Sequence, residues 1–221
     1  MNGRFPLIVL DLEVKHSPDD LPTGWTDKYA LGLSIGGYWD CQRQCLVWFD
    51  QHTVVDVLDW LTATQPTICT FNGKSFDLPV MVAEASKGDQ SLMQRWYERL
   101  EKVPHYDMCE LFRQEARAVG FTGRNSLEQI TRDLGLGGKS GHGAQAPALW
   151  QQGRLAELLN YARQDIMLTR ALCAHVTRHG GHVTRQGVPF HVPHLCATDG
   201  QSLDIVRTCA RNHHSDTEQG Q

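Results

Sequence analysis

The segment Phe5 to Val14, FPLIVLDLEV, constrains this chain more than any other stretch of similar length. In an extended strand, successive side chains alternate between two faces. Ile8, Leu10, Leu12 and Val14 then share one face, and Leu7, Val9, Asp11 and Glu13 share the other. Both faces begin apolar, as in a central strand covered on two sides. The second face ends in two carboxylates that project the same way. A charged pair closing an apolar strand is costly unless something offsets it. A divalent cation would do so; water would also do so if the strand simply ends at the surface.

The rest of the chain reads as layers for such a strand. His16 to Lys28 is polar and reads as a loop, with Pro18, Pro22 and Gly24. Tyr29–Trp39 and Cys45–Asp50 read as strands around a turn at Asp40–Gln44. Val54–Ala63 has helical spacing and stops before Pro66. Thr67–Phe71 reads as a short buried strand ending at the turn signal Asn72-Gly73. Helices follow from Asp77, over Leu92–Leu100 and over Cys109–Ala118. Ser126 and Gln129 have capping-box spacing at the start of another helix, with Gly135 suited to its far end. Gly135–Pro147 is a glycine-rich loop. Leu155–His175 is a long helix whose packed stripe is Leu155, Leu158, Leu159, Ala162 and Ile166. A hairpin is expected around Gln186-Gly187, and a polar, disordered tail from about Asn212. Strands first, then helices around one more strand, indicate an α/β domain with a mixed sheet.

Composition narrows the function. The 221 residues suit one large domain with a short tail, and an apolar content of 41% can fill its core. A net charge of −4 argues against binding nucleic acid by bulk positive charge, though not against one local groove. The apolar run Leu7–Leu10 is far too short to cross a membrane, and its flanks do not suit a signal peptide. Seven cysteines without an export signal point to free thiols in a reducing, cytoplasmic compartment.

Two more constellations carry potential chemistry. Asn72–Asp77, NGKSFD, lies between a predicted strand and a predicted helix, where Asp77 could equally be a simple helix cap. Tyr161 and Asp165, in YARQD, are four apart on a predicted helix and so share a face; an ordinary surface pair looks the same. The order is D-x-E, then N-x-x-x-F-D, then Y-x-x-x-D. It resembles the DEDD 3′–5′ exonucleases of the tyrosine-bearing branch, whose domain is ribonuclease-H-like. The segments GWTDK, LGLSIGGYWD, TFNGKSFDLPV and LGLGGKSGHGAQAPALWQQGR are similar to one subfamily: predicted exonucleases related to the proofreading domain of family B DNA polymerases. Val14 stands where many of those relatives carry Thr.

The resemblance implies a ribonuclease-H-like mixed β-sheet flanked by α-helices over residues 1–193, with 194–221 as a C-terminal extension. It also implies two divalent ions, Mg²⁺ or Mn²⁺, about 4 Å apart. Asp11 would bridge them, Glu13 and Asp165 would stand on the water-activating side, and Asp77 would act largely through water on the leaving-group side. Tyr161 would orient the attacking water; a free phenol titrates near about 10 and is a hydrogen-bonding partner before it is a base. Substrate contacts would come from Asn72, from Phe76 against a base or sugar, from Leu12 as a wedge, and from Lys139 at a phosphate. Phe76 and Leu12 also read as core, and Lys139 as a solvated loop lysine. Trp25, in the loop after the first strand, is a candidate for base stacking.

The function so implied is metal-dependent 3′–5′ hydrolysis of single-stranded or frayed nucleic acid ends, releasing nucleoside 5′-monophosphates, with DNA slightly favoured over RNA. A helicase or polymerase is the expected partner class, and no membrane is. Competing readings are a catalytically silent or partner-dependent binding module of the same fold, and a nuclease that cuts internally. Zinc is a weaker expectation at Cys41 and Cys45, or among His191, His194, Cys196, Cys209, His213 and His214.

Overall fold

The computed structural model describes residues 7–138 and 145–195. The first strand lies where its two-sided pattern requires. β1 (Leu7–Val14) is the centre of a five-stranded sheet, flanked by β2 (Leu33–Asp40) and β4 (Thr67–Thr70). β3 (Cys45–Phe49) and β5 (His105–Asp107) form the edges, giving the order β3-β2-β1-β4-β5. β1, β4 and β5 run parallel; β2 runs antiparallel to β1 and β3.

The alternation along β1 divides the core in two. Ile8, Leu10, Leu12 and Val14 join one cluster with Leu58, Leu61, Val80 and Met81, from α2 (Val54–Thr64) and α3 (Asp77–Ala85). This face also receives α1 (Lys28–Leu31) and α4 (Gln90–Leu100) through Leu31 and Leu100. Leu7 and Val9 join the other cluster, with Phe112 from α5 (Met108–Ala118) and Ile130 from α6 (Leu127–Asp133). Ile166 and Leu172 of α8 (Leu155–Arg178) complete that face, and α7 (Ala146–Gln151) packs on α8. A mixed sheet with helices on both faces makes this a ribonuclease-H-like α/β fold.

Several expectations need correction. Tyr29–Trp39 is not one strand: Asp27 accepts a hydrogen bond from the Ala30 N–H and caps a single helical turn, and the strand begins only at Leu33. The loop before it contains a 3₁₀ turn at Pro18–Asp20, started by the Ser17 side chain. β5 and α7 were not expected; β5 has three residues, too few for a period, and Pro147 of α7 occupies a first-turn position, where proline is tolerated. Leu155 is 51% exposed, so the packed stripe of α8 begins at Leu158. Ser126 caps α6 by accepting from the Gln129 N–H, but the Gln129 amide reaches Asp133 rather than back to Ser126, so only half the capping box forms.

The expected hairpin is β6 (His182–Arg185) with β7 (Val188–His191). Arg185 anchors it. This wholly buried guanidinium pairs with Asp133 at 2.9 Å, donates to Asn125 Oδ1 and the Arg124 carbonyl, and faces the Phe121 ring at 4.6 Å. Five hydrogen-bond donors on one planar group explain how it can be buried there. The tail from about Asn212 lies outside the described residues.

One glycine in β2 sets how closely α8 approaches the sheet. Gly37 stands opposite Asp11 in the β1–β2 register. A Cβ at Gly37 would lie 2.7 Å from the Trp48 ring and 3.0 Å from Ile166 Cδ1 of α8. Gly37→Ala should destabilise the protein by about 1–3 kcal/mol, the usual cost of overpacking a close contact. Urea denaturation checks this; an unchanged midpoint would mean that α8 is not held at this distance by packing.

Candidate active site

The site forms where sheet pairing stops. β4 pairs with β1 only from Leu7 to Val9, so the end of β1 runs on without that neighbour. The Leu12 N–H therefore has no sheet partner on the β4 side. Asp77, the first residue of α3, supplies one: its Oδ1 accepts from Leu12 N at 3.0 Å. Asp77 is 2% exposed and is not the N-cap residue, a position held by Phe76.

On the other face of β1, Asp11 and Glu13 project toward α8. Asp165 lies on that helix one turn after Tyr161. Asp11, Glu13 and Asp165 each present a carboxylate oxygen within 4.8 Å of the others. Glu13 is 9% exposed and Asp165 6%. Anions this close and this sheltered from water repel unless protonated or neutralised by a cation. All the donors are hard oxygens, the set that suits Mg²⁺ or Mn²⁺ rather than a soft metal. Among the described residues this is the one cluster with metal-ligand geometry. The zinc expectation at Cys41 and Cys45 finds no support: Cys41 is buried in the core, and among the described residues no third ligand joins the pair. Cys196, Cys209, His213 and His214 lie outside the described residues, and so does Lys139.

Asp77 lines the same cleft as Asp11, Glu13 and Asp165. Burial drives its carboxyl up from the ordinary 3.8 to about 7, against hydrogen bonds from its own backbone and from Leu12; Asp107 and Asp165 push the same way through their charge. The turn before Asp77 is held from below. Asp107, at the end of β5, accepts from the Asn72 and Lys74 N–H groups at 2.9 Å each. It also caps α5 by accepting from Cys109 N at 3.0 Å. Asn72 adopts a left-handed φ of 75°, which Asn tolerates better than most residues. Gly73 is required because a Cβ there would meet the Thr70 side chain at 2.5 Å.

The carboxylates open onto a cleft of about 810 Å³. Tyr161, 7% exposed, borders it beside Asp165. Asn72 and Phe76 line it on the α3 side, and the Asn72 Oδ1 accepts from Arg113 at 3.3 Å. Leu12 borders the cleft too, but its side chain is 3% exposed and packs in the core, leaving little to act as a wedge. Lys74 is engaged by Glu110 at 2.8 Å. Arg113, Arg124 and Asn125 line the cleft as well and were not anticipated. They come from segments far from the acidic motifs, and no spacing in the sequence links them. Asp107 was partly legible, since an acid just before a helical run is a cap signal.

Comparison with known families agrees with this geometry. A family model described as a predicted 3′–5′ exonuclease related to the exonuclease domain of PolB matches residues 48–192. The match contains Asp77, Tyr161 and Asp165; Asp11 and Glu13 precede it and join the cluster through the fold. No curated protein matches the chain.

The raised Asp77 carboxyl links pH to stability. Between 3.8 and about 7 the unfolded chain ionises at this position while the folded protein resists. The contribution of Asp77 to stability is therefore fullest below about 4 and is lost as pH rises through about 7. Asp77→Asn keeps an acceptor for Leu12 N but removes the charge. In EDTA at pH 8 it should melt at a higher temperature than the parent, and the gap should close near pH 4. A variant that melts lower at pH 8 would show that the Leu12 bond, not the buried charge, dominates.

Proposed function

Since the chain belongs to the predicted exonuclease family related to the PolB exonuclease domain, we propose that it hydrolyses phosphodiester bonds from the 3′ end of single-stranded or frayed nucleic acid, by a two-metal-ion mechanism that releases nucleoside 5′-monophosphates. The observation that carries this reading is the convergence of Asp11, Glu13 and Asp165 within 4.8 Å from two chain segments far apart in sequence.

Divalent ions bound there would activate the attacking water and stabilise the leaving oxygen. Asp11, Glu13 and Asp165 would hold them as hard-oxygen ligands, with Asp77 on the opposite side. Removing the charge repulsion among these acids is what makes the site favourable to a cation and costly without one. Tyr161, one helical turn from Asp165, presents a phenol that can hydrogen-bond a water and orient it for attack. Asn72 and Phe76 border the space for the terminal nucleotide, and Lys139 remains a candidate phosphate contact. Arg113 and Arg124 offer the opposite charge to a phosphate chain, which reconciles an acidic protein with an anionic substrate.

DNA is slightly favoured over RNA in this reading, and contacts to the 2′-hydroxyl are what would discriminate the two. A cytoplasmic location fits the free cysteines at positions 41, 45, 69, 109 and 173. No helix among the described residues is long and apolar enough to cross a membrane. A helicase or polymerase that supplies single-stranded ends is the partner class such an activity would serve.

The test is a time course on 5′-labelled single-stranded DNA and RNA of matched sequence with Mg²⁺, Mn²⁺ or EDTA. A ladder shrinking from the 3′ end, dependent on metal and lost in Asp11→Ala, is the expected result. Binding without cleavage under every metal would instead favour a silent or partner-dependent module of the same fold. Cleavage of a circular substrate would indicate an internal cutter.

Tyr161→Phe separates positioning from packing. It should slow cleavage by about 10- to 1000-fold, at or below what a positioned acid–base group contributes. Single-turnover rates at saturating metal measure this, and an unchanged rate would reduce the tyrosine to a packing role.

A further inference from the structure

Trp25 is 60% exposed, the most exposed of the large apolar side chains among the described residues. An indole of this size left in water forgoes much of its burial energy. Its surroundings set it apart from an incidental surface tryptophan. It lines the same cleft as Asp11, Glu13 and Asp165. Its ring stands edge-on to Phe76, with centroids 5.6 Å apart and planes at 72°. Phe76 is in turn the residue immediately before Asp77.

The loop that carries Trp25 is held by its own hydrogen bonds. Gly24 N–H donates to the Leu21 carbonyl at 3.0 Å, and Thr26 donates to the Thr23 carbonyl from both its N–H and its hydroxyl. Lys28 donates to the Trp25 carbonyl at 2.6 Å. The same ammonium lies 6.0 Å from the Trp25 ring and 5.2 Å from the Phe76 ring. The cleft thus carries an aromatic face and a second ring bracing it, and Lys28, which lines the neighbouring cavity, sets a cation beside both rings. That combination is how proteins hold an unstacked base next to its phosphate.

We propose that Trp25, braced by Phe76, is the platform on which the unpaired 3′-terminal base stacks, and that it makes the enzyme select ends whose last base is free to leave its neighbours. This rests on the exonuclease reading above. Every base has a π-face, so such a platform selects for an unpaired base rather than for sequence. A paired end must first break its stacking and pairing to reach the indole, so duplex ends are disfavoured. Lys28, beside the ring, is placed to meet the backbone of the seated nucleotide. Trp25 acts by positioning the terminal base, and the carboxylates carry the chemistry.

The experiment compares two single-stranded oligodeoxynucleotides that differ only at the 3′ end: one carries a normal terminal base and the other a tetrahydrofuran abasic residue. The parent, Trp25→Ala and Trp25→Phe are each assayed for KM and kcat with Mn²⁺. The parent should favour the normal end over the abasic end by about 5- to 150-fold, the range for one base on one aromatic ring. Trp25→Ala should raise KM for the normal end by a similar factor, change kcat much less, and bring the two substrates to near equality. Trp25→Phe should recover most of the discrimination. Discrimination that survives in Trp25→Ala would overturn the platform, as would a parent that does not distinguish the two ends. If no protein cuts any substrate, the exonuclease reading fails. Fluorescence anisotropy with the same oligonucleotides in Ca²⁺ then decides the platform alone. Tighter binding of the normal end by the parent but not by Trp25→Ala supports it, and equal binding of both ends by the parent overturns it.

Discussion

Much of this structure follows from where the β1–β4 ladder ends. Parallel pairing stops at Val9, yet β1 continues for five more residues. Those residues must find partners for backbone groups that the sheet no longer serves. On one side β2 continues the antiparallel ladder; on the other the Asp77 carboxylate takes the Leu12 N–H. A carboxylate is thereby drawn into the interior beside three others. The sheet's incomplete edge and the acidic cluster are one feature seen from two directions.

The same device recurs one strand over. β5 ends at Asp107, whose carboxylate holds the Asn72 and Lys74 N–H groups and caps α5. Buried acids thus hold backbone N–H groups that the sheet leaves unpaired, Asp77 within the end of β1 and Asp107 in the turn after β4, both beside the cleft. This arrangement raises the Asp77 carboxyl to about 7 and weakens the protein near neutral pH. Sites that gather like charges commonly trade stability for function in this way. Compensation lies elsewhere, in two apolar clusters that cover both sheet faces and in the buried Arg185–Asp133 pair that secures the hairpin.

The central strand, the helix carrying Tyr161 and Asp165, and the turn at Asn72-Gly73 were legible because each rests on a local period or a local turn preference. Leu7/Val9 and Ile8/Leu10 separate into the two core clusters as their alternation requires. D-x-E and Y-x-x-x-D each keep their residues on one face of one element, and the family resemblance joined them to the acid at the turn between β4 and α3. The helical turn at Lys28–Leu31 was hidden by the apolar pattern of the strand that follows it. Arg113 and Arg124 were hidden for a different reason: they meet the cleft only through long-range packing, which leaves no periodic trace. Leu12 shows the reverse case, where the alternation already pointed to the core.

The cluster's parts arrive at very different times as the chain is made. Asp11 and Glu13 belong to the first strand, while Asp165 lies on the last long helix and closes over β1 and β2 only after that helix docks. Long-range contacts of this kind form late in folding, because the intervening chain must first be brought together. A nascent or partly folded chain therefore holds two acids on a strand end and no closed site. The closed acidic cluster, on this arrangement, is a property of the finished domain alone: its cation-binding geometry comes into being only with the last long helix in place.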